Sequence, residues 1–141
     1  MATFNRTFFS AAFLAALAVC VPAHAGDTIG LHVASVHSET GFNNVNPGVY
    51  YRHNGFTVGA YYNSMRRLST YAGYTIETNG RVTFALTAGV VTGYPSRPIQ
   101  PLLIPSVAYH FGANAVRIAF IPPAIKHGVA ALHLMVEQKF D

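Results

Sequence analysis

Residues 56–77, FTVGAYYNSMRRLSTYAGYTIE, constrain the fold more than any other stretch, because two alternating segments flank one short basic turn. In each segment one alternate set is apolar, whereas the other set is small or polar and includes the only acidic residue, Glu77. Side chains of a strand alternate between the faces of a sheet, so the stretch predicts a β-hairpin. A polar face opposite an apolar face is typical of a membrane barrel, in which the apolar face contacts lipid and the polar face lines the lumen.

The first 25 residues have the order of a secretory signal peptide. Arg6 precedes the apolar run FFSAAFLAALAVCV, and the small residues Ala23 and Ala25 predict cleavage before Gly26. No later apolar run reaches the roughly 20 residues that a membrane-spanning helix needs. We therefore predict a signal peptide at 1–25 and a single domain at 26–141, which has no cysteine and needs no disulfide.

Eight alternating segments follow one another, separated by turn signals. They are residues 28–38, 48–52, the two halves of 56–77, 81–91, 102–111, 115–121 and 129–140. Short Asn/Gly turns alternate with longer or more basic connections, among them the proline-rich stretch 92–101, which is expected to be a loop. The pattern predicts an all-β fold, an eight-stranded antiparallel transmembrane β-barrel of the bacterial outer membrane, reached by export through the cleaved signal peptide.

The inward-facing set of side chains changes character along the barrel. Charged residues fall near the short-turn end, where burial requires that they pair: Arg52, Glu77, His110, Arg117 and Glu137. Above them the inward residues are small or apolar. Two alternatives remain open here, an apolar cavity that opens toward the large-loop end or a lumen filled by Tyr61, Tyr71, Leu102 and Met135.

Candidate catalytic residues lie at the top of the third strand and along the first. Ser64 can act as a nucleophile if a histidine lies within hydrogen-bond reach, and the first strand offers His32 at mid-height and His37 near its top. The alternative is a solvated loop serine. The large loops also carry basic residues that can attract phosphorylated lipid headgroups or form an ordinary solvated rim: Arg66, Arg67, Arg97, Lys126 and His127.

Other ligand classes find no support in the sequence. The histidines have no metal-ligand spacing and carboxylates are scarce, so no metal and no cofactor are expected. A formal net charge of +4, dispersed along the chain, does not favour nucleic acid. The expected partners are membrane lipids, both phospholipid and lipid A, and the expected state is a monomer.

Several segments resemble the lipid A palmitoyltransferase family. From Phe84 onward the chain has the order of that family's C-terminal half: TAGV in a strand, a proline-rich loop before LLIP, IPP near a strand top and a final strand that ends in Phe. GAYYNSMRRLSTYAGYT resembles the strand with the family's Asp-Ser pair and the next strand, and FNNVNPG resembles a first-loop motif.

The resemblance implies an eight-stranded outer-membrane barrel that transfers a palmitoyl chain from a phospholipid to lipid A. It implies Ser64 as the catalytic serine, with Asn63 at the position of the family's aspartate. An amide cannot supply the negative charge that orients and stabilises an imidazolium. The base stays open, because the local sequence LHVA favours His32 whereas height near the rim favours His37.

The resemblance also implies how lipid enters and is bound. Acyl chains of the family enter between strands at gateways that prolines weaken. Pro105 and Pro122 match one gateway and Pro47 half of the other. Thr75 occupies the position of the glycine that floors the acyl pocket, which predicts a shorter chain. The expected substrate-binding residues are Tyr61, Arg66, Arg67, Thr75 and Lys126.

Three hypotheses follow from these observations. The first is a lipid A acyltransferase that uses Ser64. The second is a non-enzymatic outer-membrane barrel that binds lipid or a surface partner. The third is a soluble periplasmic barrel that binds a lipid in its cavity.

Overall fold

The structure, a computed structural model, describes residues 26–123 and 129–140, so the predicted signal peptide lies outside it. Each strand pairs antiparallel with its neighbours in the chain, and the first strand pairs with the last to close an eight-stranded barrel. The strands are β1 Asp27–His37, β2 Val45–His53, β3 Phe56–Tyr62, β4 Leu68–Glu77, β5 Val82–Tyr94, β6 Arg97–Phe111, β7 Asn114–Ile121 and β8 Ala131–Phe140. The described residues contain no helix long and apolar enough to cross a bilayer.

The predicted strand number and the antiparallel closed barrel are confirmed, but the loop predicted at 92–101 is wrong. β5 and β6 continue into this stretch, and their last pair, Tyr94 with Arg97, leaves a two-residue turn at Pro95 and Ser96. The three prolines of this stretch suggested a loop because a proline cannot donate to a sheet ladder. β6 accommodates Pro98 and Pro101 because, in this stretch, only its β5 side is paired. No described residue of β7 pairs with the opposite side, and prolines are tolerated on such edge strands.

Alternation along the strands separates an apolar exterior from a polar interior. Leu31, Val58 and Leu103 point outward with exposed fractions of 50%, 54% and 56%. Inward positions are small or polar, as in Thr83 and Ala85 of β5, which are buried. This arrangement is the inverse of a water-soluble barrel, whose apolar side chains fill the interior.

Four charged side chains close the lumen at the short-turn end, as predicted. Arg117 bonds Glu137 (Nε to Oε1, 2.6 Å) and Glu77 (Nη2 to Oε1, 2.7 Å), and Arg52 bonds Glu77 (Nη1 to Oε2, 3.0 Å). A fourth contact joins Arg52 Nη2 to Glu137 Oε1 at 3.4 Å, and His110 Nε2 lies 3.6 Å from Glu77 Oε1. Because two guanidinium groups face two carboxylates, this charge ring has no excess charge.

Two glycines allow tyrosines to lie flat inside the narrow barrel. A Cβ added at Gly30 would stand 2.0 Å from Cζ of Tyr50, and one added at Gly59 would stand 2.7 Å from Cε1 of Tyr71. The Tyr50 ring therefore occupies the space that a side chain at position 30 would fill, and the Tyr71 ring occupies the corresponding space at position 59. Tyr50 reaches down to hydrogen bond Glu137, and Tyr71 reaches across the lumen at a higher level.

Candidate functional site

A cavity of about 770 Å³ occupies the barrel above the charge ring. The expected cavity is therefore present, and the alternative of a filled lumen is wrong. The four residues expected to close it line its wall instead, together with small and aliphatic neighbours: Tyr61, Tyr71, Leu102, Met135, Ile104, Ala119 and Ala131. A volume of this size is in the range of sites for small ligands.

The wall of the cavity has a lateral gap between β6 and β7. Pairing of these strands begins at Ser106 with Ala119 and runs toward the short turn, so β6 from Arg97 to Pro105 has no β7 partner among the described residues. Continuing the register by one step would bring Phe120 opposite Pro105, which has no N–H to donate. Outward-facing Leu103 and inward-facing Leu102 both line the cavity, so the cavity reaches the outer surface at this gap.

The prolines predicted as gateways differ in what they do. Pro105 and Pro122 flank the β6–β7 gap, and Pro122 also lines the cavity. Pro47 lies in β2 where the β1–β2 register shifts, and the β2–β3 pairing ends beside it at Gly48 with Tyr61. The side chain of the buried Asn46 bridges both neighbours. Its Oδ1 accepts from Ser35 Oγ of β1, and its Nδ2 donates to the backbone oxygens of Tyr62 of β3 (3.1 Å) and of Asn43 (3.3 Å).

Predicted catalytic residue His32 belongs to a polar cluster inside the lumen. Its Nδ1 lies 2.8 Å from Nε2 of His133, and its Nε2 lies 2.9 Å from the hydroxyl of Tyr71. All three residues line the cavity. His37 makes no hydrogen bond to this cluster among the described residues. Its ring stacks on Phe42, and its Nδ1 bonds Asn44 at 2.8 Å.

Ser64 and Asn63 stand at the cavity mouth, in the β3–β4 turn. Ser64 lines the cavity, but its side chain makes no hydrogen bond to a histidine within the described residues. Asn63 is fully buried, and its Oδ1 accepts from the backbone N–H groups of Met65 (2.8 Å) and Arg67 (3.0 Å). Its Nδ2 donates to Ser69 Oγ (2.9 Å) and to the Gly93 carbonyl (3.0 Å). The amide therefore holds the turn, and catalysis by Ser64 stays a prediction.

The remaining predicted residues occupy different levels of the barrel. Tyr61 lines the cavity and shares a 2.9 Å hydrogen bond with Tyr94 through the two hydroxyls. Thr75 lies lower, hydrogen-bonded to Thr57 (3.0 Å) and Thr87 (2.8 Å) in a row of hydroxyls. Arg66 and Arg67 are exposed in the β3–β4 turn, and Lys126 lies outside the described residues.

Sequence reasoning missed three residues that shape the site. His133 belongs to the inward set of β8 with Ala131, Met135 and Glu137, so alternation alone would have found it. Tyr50 alternates with Arg52 in the same way. Asn46 gave no such signal, because its role depends on a register shift that a single strand does not reveal.

The described residues hold no group of three or more histidine, cysteine, aspartate or glutamate side chains that suits a metal ion. Comparison with models of known protein families gave no match, and no curated protein matched the sequence. The relation to lipid A palmitoyltransferases stays a prediction from the motifs quoted above.

Proposed function

We propose that this protein is a bacterial outer-membrane barrel that takes the acyl chain of a membrane lipid into its lumen and transfers it from a phospholipid to lipid A. The proposal starts from the exterior. Large apolar side chains are exposed on all eight strands, and exposed apolar surface of this extent is costly in water but favourable in lipid.

Aromatic side chains on the exterior support a membrane boundary at the short-turn end. Phe56 and Tyr74 contact each other edge to face, with ring centroids 5.1 Å apart. Further exposed aromatic residues lie near the same turns: Tyr51, Tyr109, Phe111 and Phe140. Belts of such residues are typical of barrels at the membrane interface, where one part of the ring contacts lipid and another contacts water.

The observation that carries the acyl-binding part is the coincidence of a cavity and a lateral gap. The cavity of about 770 Å³ reaches the outer surface between β6 and β7, at the height where outward Leu103 would face lipid. A chain that leaves the bilayer here would stay in apolar surroundings throughout its path. No polar loop would have to be crossed between the described strands.

The transfer step is assigned to the mouth of the cavity. Ser64 lies there beside the exposed Arg66 and Arg67, whose guanidinium groups suit lipid phosphates. A hydroxyl at this position would meet the ester end of a lipid whose acyl chain fills the cavity. His32 or His37 would have to move into contact with Ser64 for general-base help, because both bond other residues.

The experiment is mass spectrometry of lipid A from Gram-negative cells that lack their own palmitoyltransferase. Expression of this protein should add a lipid A species that is heavier by one acyl chain, and Ser64→Ala should lower its amount at least tenfold. Thr40→Ala, which also removes a hydroxyl from an exposed loop, is the matched control. Unchanged lipid A in cells that demonstrably hold the folded barrel in the outer membrane would contradict the transfer activity.

A second candidate function is lipid binding without transfer. The buried hydrogen bonds of Asn63 favour it, because an amide that holds the turn through four bonds is not directed at a histidine. Under this alternative, the barrel would retain co-purifying lipid in its cavity while lipid A stayed unmodified. Lipid extraction and mass spectrometry of the purified barrel would separate the two candidates.

A further inference from the structure

The cluster of His32, His133 and Tyr71 is a polar feature of the cavity wall, and the transfer step at Ser64 assigns no role to His133 or Tyr71. The three side chains form one chain of contacts, from the Tyr71 hydroxyl to His32 Nε2 and from His32 Nδ1 to His133 Nε2. The two imidazole rings, with centroids 5.0 Å apart, form what is here called the histidine pair. Tyr61 lies against His32 with ring centroids 5.0 Å apart.

At one end of the histidine pair, a ring nitrogen has no hydrogen-bond partner among the described residues, and it is here called the free nitrogen. Nδ1 of His133 makes no hydrogen bond to any described residue, whereas both ring nitrogens of His32 are used. Among buried side-chain nitrogen and oxygen atoms of the described residues, only Thr28 Oγ1 is without a partner. Nδ1 of His133 is therefore accessible from the cavity that His133 lines, rather than sealed in the wall.

The free nitrogen can act in either direction. If Tyr71 donates to His32 and His32 donates to His133, then Nδ1 of His133 carries a proton and donates into the cavity. If the direction of the chain is reversed, the same Nδ1 accepts. A ligand group that both gives up a proton and accepts a hydrogen bond is the one that matches both states.

Strand register places the pair beside the lateral gap. His133 pairs with Ala119 of β7, and Ala119 pairs with Ser106 of β6, which is the last β6–β7 pair before the gap. Apolar side chains of β6, Leu102 and Ile104, line the cavity beyond this row. A ligand that enters at the gap therefore meets an apolar region on one side and the histidine pair on the other.

We propose that the histidine pair binds the carboxyl group of a single-chain fatty acid whose alkyl tail fills the apolar upper cavity. The inference rests on the proposed lumenal binding of acyl chains and specifies its polar anchor. The acid transfers its proton to Nδ1 of His133, and the carboxylate then accepts a charge-assisted hydrogen bond from the same N–H. Such bonds are roughly twice as strong as hydrogen bonds between neutral groups. An ester or an alcohol can make only the neutral kind.

The other charged groups that line the cavity lie at its two ends. Arg52 and Arg117 border the lower cavity, but both are paired with Glu77 and Glu137, so they offer no free positive charge. Arg97 lines the cavity at its exposed upper end, beside the β5–β6 turn. The other ionisable groups near the pair are the phenols of Tyr50, Tyr61 and Tyr71 and the imidazole of His37, which lies on β1 two residues beyond the partner of His133. The imidazole pair is thus the group beside the lateral gap in the described wall that can become a cation when an acid enters.

The test compares palmitic acid with methyl palmitate on the full mature chain, refolded in bilayer nanodiscs. Calorimetry should show that the acid binds about tenfold more tightly than the ester, because the charge-assisted bond is lost in the ester. Addition of the acid, and not of the ester, should shift the ¹⁵N resonance of His133 toward the imidazolium value. His133→Phe should remove the preference for the acid while ester binding persists, and His53→Phe, at the exposed short-turn end, should retain it.

The possible outcomes separate this inference from the proposed function. Equal affinity for acid and ester, or an unchanged preference in His133→Phe, would overturn the anchor while leaving lumenal acyl binding intact. Failure of both ligands to bind would overturn the anchor and the lumenal binding together. The comparison of acid with ester in the unmodified protein remains decisive even if His133→Phe does not fold.

Discussion

Among single residues, the buried polar side-chain atoms of the described part of the barrel have hydrogen-bond partners, with Thr28 Oγ1 as the one exception. Asn63 is the clearest case, because its Oδ1 accepts from two N–H groups of the β3–β4 turn and its Nδ2 donates to Ser69 of β4 and to Gly93 of β5. The motif resemblance predicted that Asn63 stands where the lipid A palmitoyltransferases have an aspartate. The contacts of Asn63 need an amide, which both donates and accepts hydrogen bonds. An aspartate accepts but does not donate, so it would face the Gly93 carbonyl without a proton to share.

Asn63→Asp is therefore expected to destabilise the barrel rather than activate it. The substitution leaves the Gly93 carbonyl without its donor and buries a charge, which costs about 1–3 kcal/mol in the free energy of unfolding. Urea titration of the refolded protein measures this loss. Asn79→Asp, in the exposed β4–β5 turn, should change stability little. New acyl transfer by the Asn63→Asp variant, without a loss of stability, would contradict this role for the amide.

Arg117 provides a second prediction at this scale. It is 2% exposed and bonds Glu77, Glu137 and Ser106, so its removal leaves two carboxylates without a principal partner. Arg117→Met should lower the free energy of unfolding by about 3–5 kcal/mol. Arg67→Met, at an exposed site, serves as the control and should stay within about 0.5 kcal/mol of the unmodified protein. Equal stability of the two variants would show that the charge ring does not support the fold.

At the scale of elements, β6 is the strand that departs most from uniform pairing. It pairs with β5 along its length, from Tyr109 with Val82 to Arg97 with Tyr94, but with β7 only from Ser106 to Phe111. Pro105 and Pro122 lie on either side of the unpaired part. Missing N–H groups, rather than loop flexibility, explain why the ladder stops there.

Replacing both prolines by alanine should extend the β6–β7 ladder. Pro105→Ala with Pro122→Ala restores two N–H donors, and each new ladder bond contributes about 1 kcal/mol, or about fivefold in hydrogen-exchange protection. Amide exchange of Leu103 and Phe120, whose N–H groups face each other's strand across the gap, should slow accordingly when measured by NMR, and uptake of an acyl probe should slow with it. Pro98→Ala, near the β5–β6 turn, should leave both rates unchanged. Unaltered exchange in the double variant would mean that the gap has another cause.

In the molecule as a whole, the exterior is apolar and the interior is polar, which is the reverse of a water-soluble barrel. Apolar side chains cover the outside, whereas the inside holds the charge ring, a row of threonines and the histidine pair. Closure pairs β1 with β8, and β6 from Arg97 to Pro105 has no β7 partner among the described residues. Such a barrel places its hydrogen-bonding groups internally, which is what a bilayer requires of a spanning sheet.

A charge on the outer face tests the membrane directly. Leu31 is outward and half exposed near the middle of the barrel wall. Leu31→Arg should lower the free energy of unfolding in bilayers by about 2–4 kcal/mol, since the guanidinium would sit in hydrocarbon. Asn79→Arg, in the exposed β4–β5 turn, should cost little. A Leu31→Arg barrel that is as stable as the unmodified protein and leaves the membrane fraction in a high-salt wash would favour a water-soluble barrel.

The features that depend on alternation could be predicted from the amino-acid sequence. Period-two patterning predicted eight strands, the outward apolar set and the inward charges of Arg52, Glu77, Arg117 and Glu137, because each strand repeats the same two-faced pattern whatever its neighbours are. The ends of β5 and β6 were missed because proline is read locally as a loop signal. Whether a strand tolerates proline depends on which of its edges is paired.

Contacts across the lumen could not be predicted in this way, because they depend on how the strands are arranged in the closed barrel. His32 and His133 are 101 positions apart in the chain, and their contact depends on closure of β1 against β8 and on the register that this closure sets. The same holds for the gap beside Pro105, which exists only because β7 ends its pairing with β6 at Ala119. Alternation specifies the face on which a side chain lies, whereas register and closure specify its partner, and those come from the whole barrel.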